Sequence, residues 1–238
     1  MKKTLLLLLL GTIVTIVGYS RSVQIDTIIS YEVSPSQIKF FHQDDKGNVF
    51  GNFANLKTWL DHHDKKLVFG MNGGMYLRNL SPQGLYIEDG KQITNLNTIQ
   101  TAYGNFYMQP NGVFYITKDG IGHVVTTKDF KFTMDIKYAT QSGPMLLING
   151  KYHHKFNPRS KHVHIRNGVG VLPNGNLLFA ISRDKITFYD FATFFRSKGC
   201  KNALYLDGFV SRIYLVEQNI TDQDGLFGII IAQTVDKK

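Results

Sequence analysis

The sequence predicts a single α+β domain built on a mixed, hairpin-rich β-sheet with a few helices. Three observations predict it. Asn-Gly or Asp-Gly pairs stand at Asn72, Asp89, Asn111, Asp119, Asn149, Asn167, Asn174, Asp207 and Asp224, several of them between short β-prone runs. Such pairs supply the positive φ angles of two-residue hairpin turns. Only two stretches place apolar residues at helical spacing, and no Pro/Ser-rich linker, repeat or low-complexity segment divides the chain.

Taken in order, the N-terminus reads as an export signal. Met1-Lys2-Lys3 is a positive start, Leu5 to Val17 is apolar apart from Gly11, Thr12 and Thr15, and Gly18-Tyr19-Ser20 offers small residues for cleavage. Residues 1–20 are therefore expected to be a signal peptide, or an uncleaved N-terminal anchor. Residues 21–238 form the domain. The expected location is exported: periplasmic, cell-envelope or secreted, with membrane contact only through the leader. No Cys follows the apolar run, which excludes a bacterial lipoprotein.

Strands are expected at Val23–Val33 and Gln37–His42. A helix is expected from about Asn52 to His63, where Phe53, Leu56, Trp59 and Leu60 share a face. Two hairpins follow: Val113–Thr117 with Ile121–Val125 about Asp119-Gly120, and Val169–Leu172 with Leu177–Ile181 about Asn174-Gly175. A second helix starts after Thr187, which with Asp190 forms a T-x-x-D capping arrangement. Phe191, Phe194 and Phe195 then form a core stripe, and Gly199 marks the stop.

Composition narrows the function. The formal net charge is +9, with Lys2 and Lys3 in the leader. A basic balance favours anionic partners such as phosphorylated glycans. The basic residues are dispersed, so no nucleic-acid partner is expected. Cys200 is the only cysteine; no intrachain disulfide can form and a Cys-rich zinc site is excluded.

Four segments carry candidate chemistry. Leu67 to Met71 runs into Asn72-Gly73-Gly74, where glycines permit a sharp turn or close approach of a ligand. Gln141 and Ser142 precede the Gly143-Pro144 break. His162, His164 and Arg166 would share one strand face, giving a cationic row suited to phosphate, a His-x-His metal pair lacking further ligands, or a solvated face. Asn202 to Asp207 is a buried run ending in an acid, followed by Gly208; this is a place for a catalytic carboxylate or for a plain hairpin turn.

Together, in this order, these segments resemble the phosphodiester glycosidase family. Its pattern of N-G-G and an aromatic, G-P-x-L, R-x-x-x-G, a helix, and N-A-x-x-L-D-G falls on Asn72–Tyr76, Gly143–Leu146, Arg166–Gly170, the Thr187-capped helix and Asn202–Gly208. Met75 is an insertion before the aromatic residue, and Phe209-Val210 stand where the family commonly has two more glycines. The resemblance implies a hydrolase of sugar-1-phosphodiester bonds, without cofactor or metal, acting on an anionic carbohydrate or sugar phosphate. It implies that Asp207 acts as base or nucleophile at the anomeric carbon. Arg166, with His164, holds the phosphate, while Asn72 and Ser142 orient sugar hydroxyls. Gly73, Gly74, Gln141, Gly143, Gly208 and Ser211 complete the substrate contacts. Glycosidases ordinarily use two carboxyls; Glu88 is the other candidate here. A phosphate monoester leaves readily, so stabilising charge matters more than a second acid. The alternatives are a non-catalytic envelope module binding anionic glycan, a metal-assisted phosphodiesterase using His162 and His164, or a structural envelope protein.

Overall fold

The computed structural model describes residues 27–207 and 210–237. The leader, Gly208 and Phe209 lie outside the described residues. Among the described residues, fifteen strands and two α-helices follow one another. Strands β1 (Ile28–Val33) and β2 (Ile38–Phe41) precede helix α1 (Phe53–His62) and strand β3 (Lys65–Asn72). Then come β4 (Tyr86–Glu88), β5 (Lys91–Thr94), β6 (Gly112–Thr117), β7 (Gly122–Thr126), β8 (Ile136–Ser142), β9 (Met145–Ile148) and β10 (Lys151–Tyr152). Next are β11 (Asn167–Val171) and β12 (Leu177–Ser182), helix α2 (Phe188–Ser197), β13 (Ala203–Asp207), β14 (Ile213–Leu215) and β15 (Ile230–Asp236).

The strands form three sheets, ordered β1-β12-β11-β13-β9-β10, β14-β3-β15-β2 and β5-β4-β8-β6-β7. The domain is largely β. Every strand pairing is antiparallel, which corrects the expected single mixed sheet. The physical reason lies in the two helices. Strand-helix-strand units normally join parallel neighbours. Here α1 joins β2 to β3 and α2 joins β12 to β13, but β15 and β11 respectively insert between the joined strands. Each crossover is therefore split by an antiparallel strand.

The core lies between the sheets. Phe69 of β3 stacks on Tyr31 of β1 at 4.6 Å and touches Phe179 of β12 at 5.0 Å between ring centres. Phe114 of β6 meets Phe179 at 6.0 Å and Phe40 of β2 at 5.6 Å. Burying each such ring contributes about 2–3 kcal/mol, so this shared aromatic cluster holds all three sheets in one unit. Both helices cap outer faces. The Asn52 side chain accepts from Asn55 N at the start of α1, and Phe53, Leu56 and Leu60 pack on the β3 sheet. Thr187 and Asp190 exchange two hydrogen bonds at the start of α2, the expected capping box. Phe191 and Phe195 then fit over β11, where a Cβ on Gly168 or Gly170 would stand 3.1 Å or 2.9 Å from those rings. The last glycine of the R-x-x-x-G motif thus makes room for α2.

Candidate active site

Three strand ends converge where the β3 sheet meets the β11 sheet. β3 ends at Asn72, β11 begins at Asn167, and β13 ends at Asp207, which pairs opposite Asn167. Asn167 is the keystone. Its Oδ1 accepts from Asp207 N at 2.9 Å, and its Nδ2 donates to the main-chain carbonyl of Asn72 at 2.8 Å and to Asn72 Oδ1 at 3.0 Å. Asn72 Oδ1 also accepts from Arg212 N at 2.8 Å. Two N–H groups on one end of the Asn72 amide fix its orientation, so Nδ2 faces Asp207 and donates to Oδ2 at 2.9 Å. Ser211 Oγ donates to the carbonyl of Asp207 at 2.9 Å. Asp207 is only 5% exposed. The result is a buried carboxylate held at a strand end by fixed dipoles, the preorganisation that a site for developing charge requires.

Arg166 immediately precedes the keystone and is 1% exposed. Nε donates to the carbonyl of Ile186 at 2.8 Å and Nη2 to that of His162 at 3.1 Å. Cζ lies 3.6 Å above the Phe188 ring and 5.6 Å from that of Tyr205. Among the described residues no carboxylate forms an ion pair with Arg166. Its Nη1 and the hydroxyl of Tyr205 are both buried and find no partner within hydrogen-bond limits. The two groups still sense each other: burial pushes the Tyr205 phenol well above its ordinary pKa, Arg166 pulls it down, and Asp207 pushes it up again. Burial likewise lowers the pKa of Arg166, which stays charged. Tyr76 flanks the carboxylate as well, its pKa pushed up to about 12 by burial and by Asp207. The Tyr76 hydroxyl donates to the carbonyl of Leu226 at 2.7 Å.

The remaining expected residues divide by distance from this cluster. Ser142 Oγ donates to the carbonyl of Leu206 at 2.7 Å, bracing the residue before Asp207. Gly73 and Gly74 leave the cluster through crowded space: a Cβ would stand 2.3 Å from Ile231 or 2.2 Å from Thr140 Oγ1, and Gly74 has φ +107°. Gly143 sits against Asn111 and the Phe106 carbonyl. Gln141 faces elsewhere. Its Oε1 accepts from Leu85 N and Asn97 N at 3.1 and 2.8 Å, and its Nε2 donates to Asn97 O and Thr127 Oγ1 at 2.8 and 3.1 Å. His162 and His164 do not form the expected strand face with Arg166. His164 makes only an isolated bridge with Ile186, and both histidines are exposed while Arg166 is buried. The His164 ring is held below its usual pKa by burial first, then by Arg166 and Lys185. Among the described residues no group of three or more His, Cys, Asp or Glu side chains is placed to hold a metal. Glu88 ends β4, receives the Tyr86 hydroxyl at 2.5 Å, and has its pKa raised by burial.

Asn167, Tyr205, Tyr76 and Arg212 escaped the sequence reading. Asn167-Gly168 is one of the Asn-Gly pairs of the sequence, and it lies within β11. Tyr205 carried no usable signal: a register shift in the β11–β13 pairing sets it opposite Gly168 and Asp207 opposite Asn167, so strand alternation does not bring the two to one face. An open cleft of 370 Å³ flanks the cluster, lined by Ser182, Ser211 and Arg212 over Ile29, Ile181 and Ile220. A larger hollow of 470 Å³ beside α1 holds none of these residues. There Trp59, His63 and Asp45 close on one another, with Trp59 Nε1 donating to Asp45 at 2.9 Å and His63 Nε2 3.3 Å from it.

Fixed dipoles thus hold one carboxylate at converging strand ends, and the residue before their Asn167 keystone is a buried cation. The chain belongs to the phosphodiester glycosidase family, whose sequence profile matches residues 65–228. It is 37% identical over 192 residues to the uncharacterized protein YigE of Escherichia coli (strain K12), covering 79% of this chain and 74% of that protein. The fold matches the catalytic domain of zebrafish N-acetylglucosamine-1-phosphodiester alpha-N-acetylglucosaminidase, auto-inhibited by its pro-peptide, with TM-score 0.59 at 16% identity over 87% of this chain and 81% of that one. It also matches a hypothetical protein from Synechocystis, with TM-score 0.52 at 13% identity over 87% and 59% of the two chains.

Proposed function

We propose that this protein hydrolyses sugar-1-phosphodiester bonds in exported or envelope glycans, with Asp207 as the acting carboxylate. The observation that carries this reading is the pairing of a fixed carboxylate with an uncompensated buried cation. Asp207 is held by Asn72, while Arg166 has carbonyls and aromatic rings for company but no carboxylate ion pair. A buried charge without a counter-ion is costly. An anionic substrate would bring the missing charge, and family membership supports that substrate class. In the reaction, water adds to the anomeric carbon and the bond from that carbon to the phosphate oxygen breaks. The phosphate monoester leaves with the electron pair, and Asp207 acts as base or nucleophile. Ser142 and Ser211 brace the carboxylate through the main chain, and the basic character of the protein raises the local concentration of an anionic glycan. The N-terminal leader supports an exported location; among the described residues no helix is long and apolar enough to cross a membrane.

The test is hydrolysis of a panel of sugar-1-phosphodiesters, N-acetylglucosamine-1-phosphodiesters included, by the wild type and by Asp207→Asn. Turnover by the wild type and a loss of about 1,000-fold or more in the folded variant is expected, the scale of removing a group that acts on the reacting atoms. Binding of anionic glycan without turnover of any diester would leave a non-catalytic glycan-binding module instead.

A further inference from the structure

We propose that Tyr205 is a substrate-binding residue: its hydroxyl and Arg166 Nη1 together form a two-donor notch for one oxygen of the phosphoryl group. This rests on the phosphodiester reading above and adds the residue that sequence reasoning passed over.

Two buried polar atoms on adjacent side chains find no partner within strict hydrogen-bond limits and interact only with each other, although Tyr205 is 0% and Arg166 1% exposed. Leaving a buried hydroxyl or N–H unmade is unfavourable, and such groups in a native fold call for an explanation. The surroundings make the pair rigid. Arg166 is pinned by two carbonyls on Nε and Nη2 and by the Phe188 face, so Nη1 is the end left over. Phe188 also packs edge-on against Tyr205, at 4.8 Å between ring centres and 89°. The phenol is thereby clamped between the guanidinium and a ring. A register shift in the β11–β13 pairing sets Tyr205 opposite Gly168 on the face toward α2 and Asp207 opposite Asn167, yet the Asp207 charge still reaches the phenol and raises its pKa. A rigid pair of donors within electrostatic reach of Asp207 matches what a leaving phosphate needs: hydrogen bonds fixed before charge develops. The half-buried Met75 packs against the cluster that contains Tyr205. Its unbranched thioether is the kind of side chain that yields to an entering group.

The rival explanation is that Tyr205 merely accepts from Arg166 after a small shift and serves the fold. The variant Tyr205→Phe separates the two, because it removes one oxygen and keeps the ring. Binding of N-acetylglucosamine 1-phosphate and of N-acetylglucosamine would be measured by calorimetry on the full chain, alongside the melting temperature. The expected result is a 10-fold or greater loss of sugar-phosphate affinity, less than a 2-fold change for the neutral sugar, and a melting temperature equal to or above that of the wild type. Unchanged sugar-phosphate affinity, a lowered melting temperature with equal losses for both ligands, or a wild type that binds the two sugars alike would each overturn the proposal. Because the readout is binding, its failure is distinguishable from a failure of the glycosidase reading. A protein that binds the sugar phosphate through Tyr205 yet cleaves no diester keeps the notch and loses the reaction. One that cleaves diesters with Tyr205→Phe at full affinity does the reverse.

Discussion

Gln141 and the Arg166–Tyr205 pair are both buried polar groups in the same β-domain, and they are finished differently. The Gln141 amide makes four hydrogen bonds, tying the main chain at Leu85 and Asn97 and the hydroxyl of Thr127 to β8. It is a closed network, complete without any ligand. Arg166 and Tyr205 leave one atom each without a partner within hydrogen-bond limits. Between these extremes lies the Asn72–Asn167–Asp207 cluster, closed around its amides but ending on a carboxylate. The difference separates a network that holds the fold, that of Gln141, from an open pair that the proposed notch would use.

Four substitutions and a pH series would break or sharpen that contrast. The largest effect on stability is expected at Gln141→Leu, which strips partners from Leu85 N, Asn97 N and Asn97 O. Orphaned buried groups cost about 1–3 kcal/mol each, so a loss of about 3 kcal/mol or more in urea unfolding is expected, with kcat of the folded fraction unchanged. A fall in kcat without a fall in stability would move Gln141 into the site. Asn72→Leu should show the opposite bias: about 2 kcal/mol of stability lost, because Arg212 N loses its acceptor and Asn167 Nδ2 one of its two, together with a fall in kcat of about 100-fold as Asp207 loses the Asn72 donor.

The next effect is a pH dependence at His153, a buried ring stacked on Phe156 whose pKa is lowered to about 4 by burial and by His154. The unfolded chain takes up this proton near pH 6.5 and the folded chain near pH 4. Between those values the unfolded state binds more protons, so stability falls as pH drops from about 6.5 to 4 and is flat above. Melting temperatures across that window would show it, and His153→Phe should flatten that part of the curve. The smallest effect is expected at Arg212→Ala. Its guanidinium makes a bidentate pair with Asp224 at 2.9 and 3.0 Å, but both side chains are substantially exposed. Such pairs are worth below about 1 kcal/mol, and it is the main-chain N–H of Arg212 that braces Asn72.

Much of the fold was legible in the sequence. Local signals acting over a few residues came through: the start of α1 near Asn52, the Thr187 cap, the phenylalanine stripe of α2, the Gly199 stop at φ +85°, and the hairpins about Gly120 and Gly175. Signals that depend on distant partners did not. Asn72-Gly73, Asn111-Gly112 and Asn167-Gly168 look like the turn pairs, yet Asn72 ends a strand, Gly112 begins one and Asn167-Gly168 lies within one. What decides between turn and strand is the pairing of segments far apart in the chain. The insertion of β15 and β11 between helix-linked strands is likewise a long-range event. At the site, Asp207 and Asn72 could be singled out by residue type and position, and the structure joins them. The burial of Arg166 could not be read from its neighbours His162 and His164, because the rings that cover it come from α2 and β13.

The most direct test of the account follows the oxygen. A sugar-1-phosphodiester would be hydrolysed by the wild-type protein in heavy-oxygen water and the products weighed by mass spectrometry. Attack at the anomeric carbon, steered by Asp207, places the label on the sugar hydroxyl and leaves the phosphate monoester unlabelled; this is the predicted result. Label in the phosphate would mean that the bond to phosphorus breaks instead, and would contradict the glycosidase account.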